Sequence, residues 1–582
     1  MERRHPTDRR ARGRAGDDEA IVYAGRARRL GLPFAAEVHL GAGTIADIAA
    51  IRRGTFAMDA AGGRLAYLAP DEDALPLILR WLRDYPEAGE RLRVATPSSI
   101  RAALVGAAGP ALAWAAVGRL AARYPDLSAR RVGTAGQMLA GILLAAIVGI
   151  GFRLDAAGTL VAVNLVGAAF FFGISALRFV AAGIAGKGRA ARAPPRIADR
   201  LLPVYTILVP LYREADLVAD MVKGLAAIDW PRDRLDIKLL LEADDAATIA
   251  AARRVIGGAP FEIVIVPPGA PRTKPKALAF ALSFARGEFV TVYDAEDRPH
   301  PQQLRQAHAV FAGSGEDLAC LQSALVIDND DDGWLPLLFA IEYAALFDGL
   351  LPALARFGMP LPLGGTSNHF RRAVLERIGG WDPFNVTEDA DIGFRLARFG
   401  YRSACIDLPT LEDAPVAAGA WFRQRTRWFK GWMQTWLVHT RHPRRLAREL
   451  GLAGSLGFTL VGTGVIVSAM IYPVYVLTVL AMATDPLRLW GDGGVFDAMV
   501  FGVNLFNLVG GFTAMTVLAR RSLSLRGRRA RLRGVLLLPA YWMMMSLATY
   551  RAVAELALRP HHWEKTPHRR HRASSRPPAA HA

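Results

Sequence analysis

The 582-residue chain is too long for a single hydrophobic core, and it combines 52% hydrophobic residues with a formal charge of +18. Its two cysteines, Cys320 and Cys405, have no CxxC spacing, which excludes a disulfide framework and a cysteine zinc site. Lys and Arg gather beside long apolar segments and bring no base-reading motif, so the charge is read as membrane topology, with a lipid bilayer and no nucleic acid as partner.

Residues 1–19 form a basic tail without the apolar core of a signal peptide. Residues 20–130 alternate strand-like pieces (65–68, 92–94) with amphipathic ones (73–85, 97–104) and predict a small α/β domain. That domain holds no cluster of catalytic residue types, so a regulatory or assembly module is expected. Its Arg29-Leu30-Gly31 resembles the opening of a nucleotide-second-messenger motif of secretion ATPase N-terminal domains, over three residues only. Two uncharged runs, 132–152 and 156–177, are each near the ~20 residues a helix needs to cross a bilayer and predict a hairpin over 132–184. Arginines at 119, 123, 130 and 131 precede it and basic residues from Lys187 to Arg200 follow, so both soluble flanks are expected to be cytoplasmic.

From residue 204 strand-like runs alternate with helical ones. The run 205–209 ends at Pro210, 237–241 ends in Glu242-Ala243-Asp244-Asp245, 261–266 follows, and 289–293 ends in Asp294-Ala295-Glu296-Asp297, with helices at 216–227 and 276–285. This order predicts a doubly wound parallel sheet within 201–440, its carboxylates meeting at the strand ends where open α/β sheets bind ligands. Asp294 and Glu296 at one strand end can share Mg²⁺ or Mn²⁺, although the motif alone also reads as a solvated acidic turn. Asp297 is read as a turn residue facing away.

Residues 334–357 suit an amphipathic helix lying on the domain or the membrane surface. A small-residue loop, Gly364-Gly365-Thr366-Ser367-Asn368, is followed by Thr387-Glu388-Asp389 and by Gln424-Arg425-Thr426-Arg427-Trp428. The last of these lies in an aromatic and basic helix, 421–436, which by itself reads as an interfacial anchor. The region 450–558 is mostly membrane: 450–484 with Pro473 inside, 498–519, and a shorter 534–550 running into Arg551 and Glu555. The basic stretches 520–533 and 559–582 are both expected on the cytoplasmic side, which three single crossings cannot satisfy. Either 450–484 is a two-pass hairpin, the preferred reading, or the last segment is interfacial.

The acidic strand edge at 242–245, Asp294-x-Glu296, Thr387-Glu388-Asp389 and Gln424-x-x-Arg427-Trp428 stand in that order. Together they resemble the D, DxD, TED and QxxRW signature of processive family 2 glycosyltransferases, the cellulose synthase-like and hyaluronan synthase-like bacterial exopolysaccharide synthases. The resemblance covers 204–439 and extends through the membrane layout. It implies an α/β GT-A domain (Rossmann-like, nucleotide-diphospho-sugar transferase) inserted between transmembrane α-helices of the bacterial inner membrane. It further implies polymerisation of a sugar from a nucleotide-diphosphate donor, of UDP-glucose or GDP-mannose type, into a growing polysaccharide that is translocated, with export proteins as further partners.

Carried over by residue, the resemblance implies that Pro210 and Glu214 contact the nucleoside, Glu242 or Asp244 takes the uridine or ribose, and Lys276 lies beside the donor. Asp294 and Glu296 hold the metal, Asp389 beside Glu388 is the base, and Gln424, Arg427 and Trp428 line the acceptor end and steady the diphosphate. One base without a covalent partner fits single displacement with inversion. The chain departs from the family in Glu-Ala-Asp-Asp for Asp-Asp-Gly, in Asp-x-Glu for the metal pair, in a loop lacking an aromatic and a cysteine, and in showing no PilZ domain after the last membrane segment. Transfer of one sugar to a polyprenyl or other lipid acceptor and an inactive scaffold of an export complex are the alternative readings.

Overall fold

The computed structural model describes residues 15–41, 48–59, 65–186, 197–256, 260–484 and 494–562; most of the two expected basic tails, 1–14 and 563–582, lies outside them. The N-terminal unit is α/β, as its alternating pattern predicts. Strands β1 (Phe34–Ala35), β2 (Phe56–Met58), β3 (Ala66–Leu68) and β4 (Leu92–Ala95) pair in the order β1-β4-β3-β2. Gly31, in the left-handed region at φ +67, directly follows the Ala15–Leu30 helix, and Leu30 is buried, so this short motif has a structural use as a helix terminator.

The amphipathic piece expected at 97–104 is the start of a much longer helix, Pro97–Arg123. Thr96 caps it by accepting the Ser99 N–H, and Pro97 occupies the first helical position, where no donor is missed. The far end docks on the larger domain: Arg119 donates to Ser283 Oγ (2.8 Å), Tyr124 Oη to the Arg377 carbonyl (3.0 Å) and Ser128 Oγ to Asp382 (3.2 Å).

The larger domain is built on eight strands: β5 (Tyr205–Leu211), β6 (Leu235–Glu242), β7 (Phe261–Val266), β8 (Phe289–Val292), β9 (Arg298–Pro299), β10 (Leu318–Ile327), β11 (Asn368–Arg371) and β12 (Arg402–Glu412). Their order is β7-β6-β5-β8-β11-β10-β12-β9. The first four are mutually parallel, as the sequence predicts, and β5 and β6 are buried on both faces, which is why they read as unbroken apolar runs. Beyond β8 the sheet becomes mixed, because β11 inserts antiparallel between β8 and β10. Trp334–Arg356 packs on this sheet, 72% of its most apolar window buried, so it is a domain helix.

Among the described residues seven helices are long and apolar enough to cross a membrane, and packing separates them. Ala135–Leu154 and Ala156–Ile184 form the expected hairpin, with Asp155 capping the second helix through the Gly158 N–H (2.9 Å). No residue in the apolar window of the first is buried, the pattern of a helix whose solvent is lipid. The stretch 450–484 corrects the preferred expectation: it is no two-pass hairpin. Gly451 (φ +65) turns off a polar start, and the chain then runs through Phe458–Thr463 into Gly464–Thr484 as one rod.

The charge conflict is instead relieved by Leu538–Leu558. Just before it, Arg531 pairs with Asp330 (2.8 Å) and Asp331 on the sheet domain. Just after it, the Pro560 carbonyl accepts from Gln434 (2.8 Å) and the His562 carbonyl from Lys430 (2.7 Å). Both ends rest on the same domain, so this helix lies alongside Ala418–His439, the arrangement expected of an interfacial segment.

Candidate active site

The parallel strands deliver their ends to one edge. β8 stops at Val292, and the turn behind it closes through the Asp294 N–H donating to Asp297 Oδ2 (2.7 Å). Thr366 Oγ1 donates to the same oxygen, so Asp297, only 4% exposed, faces inward and braces the loop, contrary to the outward turn residue expected. Burial, reinforced by the charges of Asp294 and Glu296, pushes its carboxyl well up. Asp294 and Glu296 themselves are half-buried. Glu412, at the end of β12, is also pushed up, first by burial and then by Asp297, Glu296 and Asp294.

Lys274 answers this negative charge. Its ammonium donates to Asp294 Oδ1 (2.5 Å) and to the Gly365 carbonyl (2.7 Å), tying the acidic turn to the small-residue loop. The loop passes close to the base, since a Cβ on Gly365 would sit 3.3 Å from Asp389 Oδ2. The sequence reading assigned this place to Lys276, which is 2% exposed and donates to Glu242 Oε2 (2.8 Å) further along the edge. Lys274 is thus the residue missed, although the Lys-Pro-Lys run contains it.

The helix Glu388–Arg398 opens on the same spot with Glu388, Asp389 and Asp391 in its first turn, where the helix dipole favours carboxylates. Glu388 is buried, and its pKa rises to about 8 through burial and the Asp389 charge, so it is largely protonated at neutral pH. Asp389 is half-buried and also raised, chiefly by burial, with the Ala390 N–H and the charges of Lys274 and Arg427 opposing. Arg427, on Ala418–His439, is held in the field of Glu388, Asp389 and Asp294. One turn away, Gln424 Oε1 is buried without a hydrogen-bond partner among the described residues. Trp428 packs edge-on against Phe339 at 5.9 Å and carries the Arg425 guanidinium 4.5 Å from its ring centre, which fixes its orientation.

The two motifs are pressed together at Gly431, where a Cβ would fall 2.4 Å from Thr387 Oγ1 and 2.5 Å from Cγ2. Gly431→Ala is therefore expected to push Thr387-Glu388-Asp389 out of register, at about 1–3 kcal/mol of overpacking. Turnover should fall more steeply than thermal stability in detergent; unchanged turnover would contradict the close approach.

The nucleoside side is less concentrated. Arg213, following β5, is in the left-handed region (φ +54), a strained conformation for a non-glycine residue, and its N–H donates to Asp245 (2.5 Å). Asp245 also caps Ala246–Val255 through the Thr248 N–H (3.2 Å), and the Glu214 N–H donates to Thr248 Oγ1 (3.1 Å). Of the three acidic candidates, Asp245 is committed to the backbone, Glu242 pairs with Lys276, and Asp244 pairs at the surface with Arg272 (2.7 Å). Pro210 lies near the end of β5, on the edge shared with these groups.

Among the described residues no three His, Cys, Asp or Glu side chains converge to hold a metal alone. Asp294 and Glu296, two half-buried carboxylates of one turn, nevertheless fit one divalent cation that takes its remaining ligands from a diphosphate.

Residues 203–431 match the family model described as Glycosyltransferase like family 2, and with the sheet order above this domain has the GT-A glycosyltransferase fold. The probable glycosyltransferase YdaM of Bacillus subtilis (strain 168) is 24% identical over 234 residues, covering 40% of this chain and 55% of that relative. Among solved structures, the Pyrobaculum calidifontis mannosyltransferase PcManGT, in complex with GDP-Man and Mn²⁺, is 19% identical, with TM-score 0.44 over 68% of this chain and 98% of that one. S. aureus TarS 1–349 in complex with UDP-GlcNAc is 12% identical, with TM-score 0.31 over 62% and 93%.

Proposed function

We propose that this chain is a membrane-embedded, inverting glycosyltransferase that polymerises a sugar from a nucleotide-diphosphate donor into an exopolysaccharide and passes the product across the bacterial inner membrane, with its domain and N-terminus on the cytoplasmic side. The convergence of Asp294, Lys274, Gly365, Asp389 and Arg427 at one sheet edge carries this reading, because it joins a diphosphate-charge site to a candidate base.

Asp389 takes the proton of the acceptor hydroxyl while that oxygen forms its bond to the anomeric carbon and the bond to the diphosphate breaks. Arg427 and Lys274 face the negative charge gathering on the leaving diphosphate. Glu388, its pKa raised to about 8 by burial and the Asp389 charge, adds little negative charge beside the base at pH 7. Gln424, with its unpartnered oxygen, offers an acceptor for a sugar hydroxyl, and Trp428 an apolar ring face. A Mg²⁺ or Mn²⁺ held by Asp294 and Glu296 supplies Lewis-acid stabilisation of the diphosphate when bound.

A second reading, transfer of one sugar to a polyprenyl-type lipid, is favoured by the closed packing of the crossing helices, where Asn164, Tyr475, Asn504 and Asn507 are at most 2% exposed. Full-length protein in detergent, given radiolabelled UDP-glucose or GDP-mannose with Mg²⁺ or Mn²⁺, is expected to make a high-molecular-weight, alkali-stable product, and EDTA is expected to stop it. A short, organic-soluble product would establish the second reading. No transfer from any nucleotide sugar would overturn both.

A further inference from the structure

The N-terminal domain meets the GT-A domain across a cleft of about 550 Å³ lined by Ile48, Ala49, Arg52, Arg53, Arg286 and Arg372. Four arginines from three separate segments converge there. Three are held rigidly. Arg52 donates to the Ser283 (3.0 Å) and Leu282 (3.1 Å) carbonyls and to Glu376; Arg372 donates to the Gly287 carbonyl (2.6 Å) and Glu376 (3.2 Å); Arg286 donates to Asp236 (2.9 Å). The carboxylates do not balance them. Glu376 is shared by Arg52 and Arg372, and Asp236 by Arg286 and Lys238 (3.1 Å), while Arg53 is exposed with no ion-pair partner among the described residues.

Pre-positioned guanidiniums lose little freedom on binding, and their planar forks match phosphate oxygens two at a time. A cleft of this size is in the range of small-molecule sites. Ile48 and Ala49 add an apolar floor beside the charges.

We propose that this interdomain cleft binds a phosphorylated small molecule of the di- or polyphosphate class, at a site distinct from the donor site. The separation follows from the strand: Arg286 and Gly287 precede β8, whereas Asp294 follows it, so the cleft lies at the opposite end, roughly 20 Å away at the ~3.3 Å rise of a strand. A single diphosphate cannot reach both. The cleft is also tied to β8 directly, since the Arg372 N–H donates to the Glu288 carbonyl (2.9 Å) and its side chain holds Gly287. Occupation would therefore add phosphate bridges between the N-terminal helix Ile48–Arg53, already docked through Arg52, and the root of the strand whose tip carries Asp294, which gives the N-terminal domain a regulatory use.

The test is isothermal titration of the full-length protein in detergent and EDTA, with inorganic tripolyphosphate and ATP as separate probes. One site per chain is expected. Arg53→Glu, at an exposed position, should weaken binding by about tenfold or more, Arg53→Lys should keep most of it, and Asp294→Ala should leave it unchanged. Tighter binding of ATP than of tripolyphosphate would assign the apolar floor to a nucleoside; equal binding would assign the site to the phosphates alone. The proposal is overturned by no measurable binding of either probe, or by binding that survives Arg53→Glu and disappears in Asp294→Ala. Because binding is read without turnover, failure here leaves the glycosyltransferase reading untouched.

Discussion

Asp389→Asn is expected to lower turnover about 10²–10⁴-fold, the usual contribution of a positioned general base, while donor binding is kept. The substitution preserves size and the hydrogen bond from the Ala390 N–H (2.8 Å) but removes the group that takes the acceptor proton. Glu388→Gln provides the contrast. That carboxyl stands at about 8 and is mostly protonated at pH 7, so an amide nearly reproduces its charge and shape, and the loss should be smaller than at Asp389. The pH dependence has a definite sign as well. Burial raises Asp389, and a base works ionised, so activity should be lost as pH falls through its raised pKa. Single-turnover rates with a saturating labelled donor would measure all three effects, and an Asp389→Asn enzyme of near-normal rate would remove the residue from the base's role.

The readings that held depended on strongly periodic signals. β5, β6 and β8 are short apolar runs, and β6 and β8 end in carboxylates, a pattern that identifies both a buried parallel strand and its functional edge. Those that moved depended on direction. Lys274 and Lys276 are two positions apart on the Lys274–Leu282 helix, hence about 200° apart around its axis, and the one facing Asp294 is set by how that helix sits on the sheet. The inward Asp297 depends on Thr366, almost seventy positions later, which local alternation does not reveal. The membrane layout failed for a related reason. The positive-inside constraint required an even number of crossings, but it did not say which segment leaves the bilayer. Contacts of Arg531, Gln434 and Lys430 tie both ends of Leu538–Leu558 to the sheet domain, and they join residues about a hundred positions or more apart.

Ala418–His439 is held by a buried pair that predicts a second large effect. Arg425 forms a two-pronged ion pair with Glu342, both contacts 2.7 Å, and is itself 3% exposed. Tyr541 completes the arrangement: its hydroxyl accepts from Arg425 (2.9 Å) and Trp421 (3.1 Å) and donates to Glu342 (2.8 Å), which uses the hydroxyl's full hydrogen-bonding capacity. The guanidinium also lies 4.3 Å from the Phe339 ring centre and 4.5 Å from that of Trp428. Such a pair adds little over a well-packed apolar substitute, yet removing one partner strands a buried charge, typically at about 3–5 kcal/mol. Glu342→Ala should therefore destabilise by an amount near the lower end of that range, because the Glu342 side chain retains 25% exposure. Tyr541→Phe, which removes one hydroxyl, should cost about 1–3 kcal/mol. The pair also positions chemistry, since Arg425 stands between Gln424 and Arg427 on the same helix and orients Trp428. Glu342→Ala should thus lower turnover beyond what partial unfolding accounts for when assayed well below its reduced melting temperature. Thermal melts of both variants in detergent, paired with that assay, check the argument: an unshifted melt for Glu342→Ala would show that the buried pair does not hold this helix.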